Sequence, residues 1–130
     1  KYIMVRNVLM CLFIGFLLAS CDSYTTEMEG KWQLERIELG NEISQVDTVW
    51  YNFQTSLFQY QIYDRKIDSY RTSQGFNTYE KNKLVLQLFS EKILPYTDWD
   101  STVRDFTVEK KSHNRLILSS EGKKYYFRRF

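Results

Sequence analysis

Lys83-Leu84-Val85-Leu86-Gln87-Leu88-Phe89 decides how the rest of the chain is read. Leu84, Leu86 and Leu88 recur at every second residue, and in an extended chain that spacing puts all three on one face. A helix would scatter them around its axis. The segment is therefore a half-buried strand, the clearest in the chain, and it predicts a sheet protein. Glu80-Lys81-Asn82 just before it is polar and reads as a hairpin loop that joins it to a strand over Phe76 to Tyr79.

Further toward the N-terminus, Val49, Tyr51 and Phe53 alternate with Thr48, Trp50 and Asn52, and after Thr55-Ser56 the alternation resumes as Phe58, Tyr60 and Ile62 against Gln59, Gln61 and Tyr63. Asp64-Arg65-Lys66 breaks the pattern, Ile67 to Thr72 is a weaker strand, and Ser73-Gln74-Gly75 reads as a turn into Phe76. At Gly30-Lys31-Trp32, Trp32 and Leu34 share one parity while Ile37 and Leu39 take the other. That switch requires a bulge or bend. Gly40-Asn41 then supplies turn chemistry.

Toward the C-terminus, Ser90 to Thr102 holds the single proline, Pro95, and the triplet Asp98-Trp99-Asp100. With no clear period, it is predicted to be the longest irregular connection. Phe106 with Val108, Leu116 with Leu118, and Tyr125 with Phe127 mark three last strands, separated by Lys111-Ser112-His113-Asn114 and Ser120-Glu121-Gly122. Eight or nine short antiparallel strands form either a sandwich or a barrel, and closure removes exposed edges.

The first residues carry a different signal. Lys1 and Arg6 give a basic start, Val8 to Leu18 is apolar, and Leu18-Ala19-Ser20-Cys21 closes the run. This is the anatomy of a secretory signal, and its apolar stretch of about 11 residues falls short of the roughly 20 that span a bilayer. Leu18, Ala19, Ser20 and Cys21 resemble the lipobox of bacterial lipoproteins. The resemblance implies cleavage before Cys21, lipid on its thiol, and a membrane partner reached through that lipid. It also implies a cell-envelope location as an outer membrane lipoprotein, on either the periplasmic or the surface face. Residues 1–20 are then signal peptide, 21–29 lipidated cysteine and tether, and 30–130 the folded domain. Cys11 would be discarded with the signal, which leaves Cys21 without a disulfide partner.

Removing that segment also removes Lys1 and Arg6, while all 16 acidic residues follow Cys21, so the net charge of +2 falls to zero. A nucleic-acid partner is not expected on that basis. The aromatic content of 17% sits almost wholly after Cys21, and Ala19 is the single alanine. A helical bundle without its best helix former is disfavoured, whereas aromatic and β-branched residues favour strands.

Gly30-Lys31-Trp32, the Gly75 to Leu88 hairpin, the Phe106 to Leu118 pair and the closing Tyr125-Tyr126-Phe127-Arg128-Arg129-Phe130 are similar to the small lipocalin-like domains of lipoproteins from gut bacteria. The similarity runs over residues 28–130. It implies an all-β fold, an antiparallel up-and-down meander closed into a lipocalin-like barrel of about eight strands. It further implies that Arg128 or Arg129 packs over Trp32 at the closed end. The chain is shorter than secreted lipocalins and lacks their long C-terminal helix, which leaves the size of any interior cavity open.

Catalytic chemistry is not legible. His113 sits in a polar turn without triad or zinc partners. Asp98 and Asp100 flank Trp99 but read as a polar loop with an aromatic plug, and Gly30, Gly40, Gly75 and Gly122 are too isolated to cradle phosphate. Lys110-Lys111 and Lys123-Lys124 read as solvated strand ends. The chain is expected to be no enzyme and to use no cofactor or metal. Trp50, Tyr51, Phe53, Phe58, Tyr60 and Tyr63 either line a cavity for a small hydrophobic or amphipathic ligand or fill a core, as rings do in most small barrels. The ligand reading calls for a cavity of about 300 Å³ or more. The alternative is a solid-core module that docks onto an envelope protein, which an exposed aromatic patch at Trp99 or along Ser90 to Thr102 would favour.

Overall fold

The computed structural model describes residues 28–130. The predicted signal peptide, the lipobox Leu18 to Cys21 and most of the tether lie outside the described residues. Nine strands follow in order: β1 (Gly30–Leu39), β2 (Glu42–Gln45), β3 (Val49–Gln54), β4 (Leu57–Asp64), β5 (Ser69–Glu80), β6 (Lys83–Leu88), β7 (Val103–Lys111), β8 (Arg115–Ser120) and β9 (Lys123–Arg129). The one helical element among the described residues is a 3-10 turn, Leu94–Tyr96, between β6 and β7.

Each strand pairs antiparallel with the next from β3 to β9, and β9 returns to pair with β1. The result is a closed eight-stranded barrel with one extra strand. That extra strand is β2. The first half of β1 pairs with β3, Gly30 opposite Phe53 through Gln33 opposite Trp50, and its second half pairs with β2, Arg36 opposite Gln45 through Leu39 opposite Glu42. Along its other edge β1 runs against β9, and the register slips at Glu35, between Leu34 opposite Phe127 and Arg36 opposite Tyr126. This is the bulge that the parity switch required, and it lets Trp32, Leu34 and then Ile37 all turn toward the core.

One expectation is corrected. Ser73-Gln74-Gly75 is not a turn, because β5 runs unbroken from Ser69 to Glu80. The missing side chain serves closeness: a Cβ on Gly75 would stand 2.1 Å from the backbone oxygen of Gln87 on β6. The chain reverses earlier instead, over residues 65–68, where Asp68 has φ of 47° and Ile67 is exposed.

The alternation predicted from the sequence sorts side chains as expected. Leu84, Leu86 and Leu88, Phe106 and Val108, Leu116 and Leu118, and Tyr125 and Phe127 are all buried in one core. Packing begins slightly earlier than the predicted domain start at residue 30. Met28 belongs to the core, and Glu29 accepts a hydrogen bond from the Thr55 backbone N–H through Oε1.

Candidate functional site

The two ends of the barrel are sealed differently. At the end where β1 begins, Trp32 is fully buried and donates its indole N–H to the Met28 carbonyl at 2.9 Å. The Arg129 guanidinium lies 4.2 Å from the Trp32 ring, donates through Nη1 to the Glu29 carbonyl at 2.6 Å, and donates through Nε to the His113 carbonyl. The sequence left two arginines open, and Arg129 is the one that packs over the ring because it shares parity with Tyr125 and Phe127. Arg128 faces outward and donates to Gln33 Oε1 through Nη2 at 2.9 Å and Nε at 3.2 Å.

At the opposite end, the connection between β6 and β7 folds over the mouth. Pro95 is the second residue of the 3-10 turn, Thr97 Oγ1 donates to the Leu94 carbonyl at 3.0 Å, and the same oxygen accepts from the Trp99 backbone N–H at 3.0 Å. That local network turns the chain inward, so Ile93 and Trp99 are buried. The indole of Trp99 stacks parallel to Phe58 with centroids 6.1 Å apart and meets Tyr60 edge-on at 5.8 Å. Phe106 at 6.0 Å and Tyr51 at 6.3 Å complete the slot, and Trp99 donates its indole N–H to the Tyr51 hydroxyl at 3.1 Å. On the rim, Tyr96 lies beneath the guanidinium of Arg71 at 3.9 Å, and Arg71 is paired with Asp64 at 2.9 Å.

Beside the slot sits a buried cation that the sequence reading passed over. Arg104 occupies the inward face of β7 with Phe106 and Val108 and is 5% exposed. Its Nε donates to Ser120 Oγ at 3.2 Å and its Nη2 to the Tyr125 hydroxyl at 2.5 Å, which in turn donates to Asp98 Oδ2 at 2.5 Å. Asp98 Oδ1 is 3.4 Å from Nη1, and Glu121 Oε2 is 3.5 Å from Nη2. Both distances exceed the roughly 2.7–2.9 Å of a seated charge-assisted bond. Nη1 is buried and makes no hydrogen bond.

Burial raises the Tyr51 phenol well above its ordinary value, reinforced by the neighbouring Tyr60 and Asp98. Tyr60 is raised by burial and then by the Asp98 charge, and Tyr125 by burial and by its hydrogen bond to Asp98. All three phenols are neutral near pH 7. The mouth therefore combines one cation, neutral hydroxyls and a ring slot.

Of the six aromatic residues singled out in the sequence, Tyr51, Phe53, Phe58 and Tyr60 point inward and form one cluster. Trp50 and Tyr63 do not. They have the opposite parity: Trp50 packs on the outer face against Tyr70 and Phe130, and Tyr63 packs against Tyr70 and donates to Asp68. The inward four pack against one another, and Tyr51 also meets Trp99, Phe106 and, at 4.8 Å, Phe127. Hollows of about 540, 480 and 410 Å³ open to solvent, lined mainly by outward residues such as Lys83 and Asp105, Gln59 and Gln74, and Gln45 and Asp47. Among the described residues no cluster of His, Cys, Asp and Glu suited to a metal ion occurs. His113 contributes its carbonyl, not its ring, to the closed end.

A closed antiparallel barrel with a tryptophan–arginine seal at one end and a looped mouth at the other defines a lipocalin-type domain. The profile of the family described as "Lipocalin-like domain" matches residues 16–130, and the chain belongs to that family. A crystal structure of a lipocalin-like protein from Bacteroides uniformis is similar, with 28% identity and a TM-score of 0.74, and covers 81% of this chain and 100% of its own. An uncharacterised protein from Bacteroides eggerthii shares the fold, with 24% identity, a TM-score of 0.70, and coverage of 78% of this chain and 98% of its own. No curated protein matches the chain significantly.

Proposed function

We propose that this protein is a lipid-anchored envelope lipoprotein whose barrel binds a small amphipathic ligand at its mouth, without enzymatic turnover. The mouth is the supporting observation. Its seal is made by loop side chains, Trp99 above all, set against an incompletely bonded cation, Arg104. A barrel needed only as a solid body would gain nothing from an ionic group there, because a well-packed apolar residue is commonly as stable or more so. The aromatic slot offers an apolar body its contacts and the hydroxyls orient it.

The anchor reading is supported by Leu18-Ala19-Ser20-Cys21, with lipid on Cys21 as the proposed hold on the membrane. Two measurements test the whole. Detergent extraction of the intact protein followed by mass analysis should recover a small molecule in stoichiometric amount, and recovery of none would remove the ligand reading. Labelled fatty acid should enter the native protein and not Cys21→Ser, and equal labelling of the two would remove the anchor.

A second reading, docking onto an envelope protein, draws on the outer wall. Leu57, Phe76 and Val103 on β4, β5 and β7, with Phe89 just past the end of β6, are each 47–58% exposed, and the rings of Phe76 and Phe89 meet at 4.7 Å. Lone exposed apolar residues are ordinary, but a joined group marks a contact surface. Cross-linking in intact cells that yields one dominant protein adduct through this face, and no bound small molecule, would favour it.

A further inference from the structure

We infer that the mouth is a preformed receptor for a small aromatic carboxylic acid, and that Asp98 and Trp99 occupy it as a built-in substitute for that ligand. The inference rests on the ligand-binding reading above and names its chemistry.

Adjacent residues of one loop bring a carboxylate and a ring to the two halves of the mouth. The ring enters a slot formed by Phe58, Tyr60, Phe106 and Tyr51, with an acceptor for its N–H in the Tyr51 hydroxyl. The carboxylate reaches Arg104 only in part, because Oδ1 stops 3.4 Å from Nη1 and no hydrogen bond forms there. Buried guanidinium groups normally have their donors satisfied, and leaving one unmade is costly. The chain between Asp98 and Trp99 fixes the separation of the two groups. A free acid that carries its carboxylate one or two carbons from a ring has no such restraint and can seat an oxygen directly on Nη1.

Charge selects a monoanion. Asp98 and Glu121 already face Arg104, with Lys123 Nζ 3.8 Å from Asp98, so a dianion would meet net repulsion where a single carboxylate can replace the one Asp98 supplies. Exchange need not dismantle the loop. Ile93 is buried, Tyr96 is held on Arg71, Thr97 is bonded to the Leu94 carbonyl and the Thr102 carbonyl accepts from the Leu88 N–H, which leaves the span between them, residues 98–101, to swing away with Trp99 and Asp98.

The test is calorimetric titration of the full-length lipidated chain in nanodiscs with three probes of one shape: indole-3-acetate, its alcohol tryptophol, and the amine tryptamine. The native protein should favour the acid over the alcohol by about tenfold and reject the amine. Removing the internal competitor with Asp98→Asn should tighten acid binding about tenfold by releasing the closed state, and should tighten the alcohol as well, with the preference for the acid kept. Trp99→Ala should tighten both, and Arg104→Met should erase the preference for the acid. Should Trp99→Ala fail to fold, the native and Asp98→Asn titrations decide the matter alone. Equal binding of acid and alcohol, acid binding untouched by Arg104→Met, or no binding by any folded form overturns the inference. If extraction recovers a neutral lipid while the acid does not bind, the ligand reading stands and this inference falls. If neither finds a ligand, both fall.

Discussion

The two ends of this barrel set the same pair of residue types on different supports. At the closed end Trp32 and Arg129 both ride on strands, where the registers of β1 with β3 and β9 hold them. At the mouth Trp99 rides on the β6–β7 connection, and only Arg104 is on a strand. Displacing the first tryptophan means unzipping a ladder, whereas displacing the second means moving a loop. Elements that open for function come from such weakly coupled segments. A seal on the sheet is held by strand pairing, and a seal on a connection by side-chain packing and a few loop hydrogen bonds.

The largest effect that separates the ends is expected from Trp32→Ala. It removes a fully buried indole from strand-fixed walls that cannot collapse, and urea denaturation should show a loss of about 3–5 kcal/mol. Trp99→Ala should cost about 1 kcal/mol less or better, because the loop can settle into the space it leaves. Equal losses would mean that the mouth is as rigid as the floor. The same variant should admit a fluorescent apolar dye while its far-ultraviolet spectrum stays native.

Alkaline titration sharpens the contrast, since Tyr51, Tyr60 and Tyr125 have phenols raised by burial and by Asp98. A phenol raised in the folded state contributes stability that is complete below the unfolded value near 10 and is lost as pH rises through the folded value. Stability should therefore be flat up to about pH 9 and decline above about pH 10, and phenolate absorbance from these three should appear only as the barrel opens. Early ionisation of all tyrosines in a folded barrel would show a mouth already open to solvent. The smallest effect is expected from Arg129→Gln, about 1 kcal/mol for the lost cation–π contact and carbonyl bonds, with no change in ligand preference.

Much of this architecture was legible in period-two patterning. The leucines of β6, the parity switch that became the Glu35 bulge, and the irregular stretch around Pro95 all follow from local rules. Gly75 resembles a turn because it follows the polar pair Ser73-Gln74, while its reason lies in β6, beyond the next hairpin. Trp50 and Tyr63 neighbour the inward rings in sequence but have the opposite parity, which by itself puts them on the other face. Arg104 had a signal that went unused: it stands two residues before Phe106 and four before Val108, a charge in a core-facing register. The reading of Asp98-Trp99-Asp100 as a polar loop with an aromatic plug matched the buried Trp99, but what Asp98 meets beyond the loop lay in β7 and β9, which no local pattern reaches.

The seam between β1 and β9 has a kinetic meaning. Trp32 stands opposite Arg129, so the contact that closes the ring joins residues from almost the two extremes of the described chain. Until β9 is available, β1 has one bare edge and the aromatic interior one open side. Barrels dominated by such distant pairings fold on the order of milliseconds to seconds, well behind helical proteins of equal size. The last strand to be made thus acts as the latch, and any cell that exports this chain must keep it from sticking to its neighbours for as long as the latch is missing.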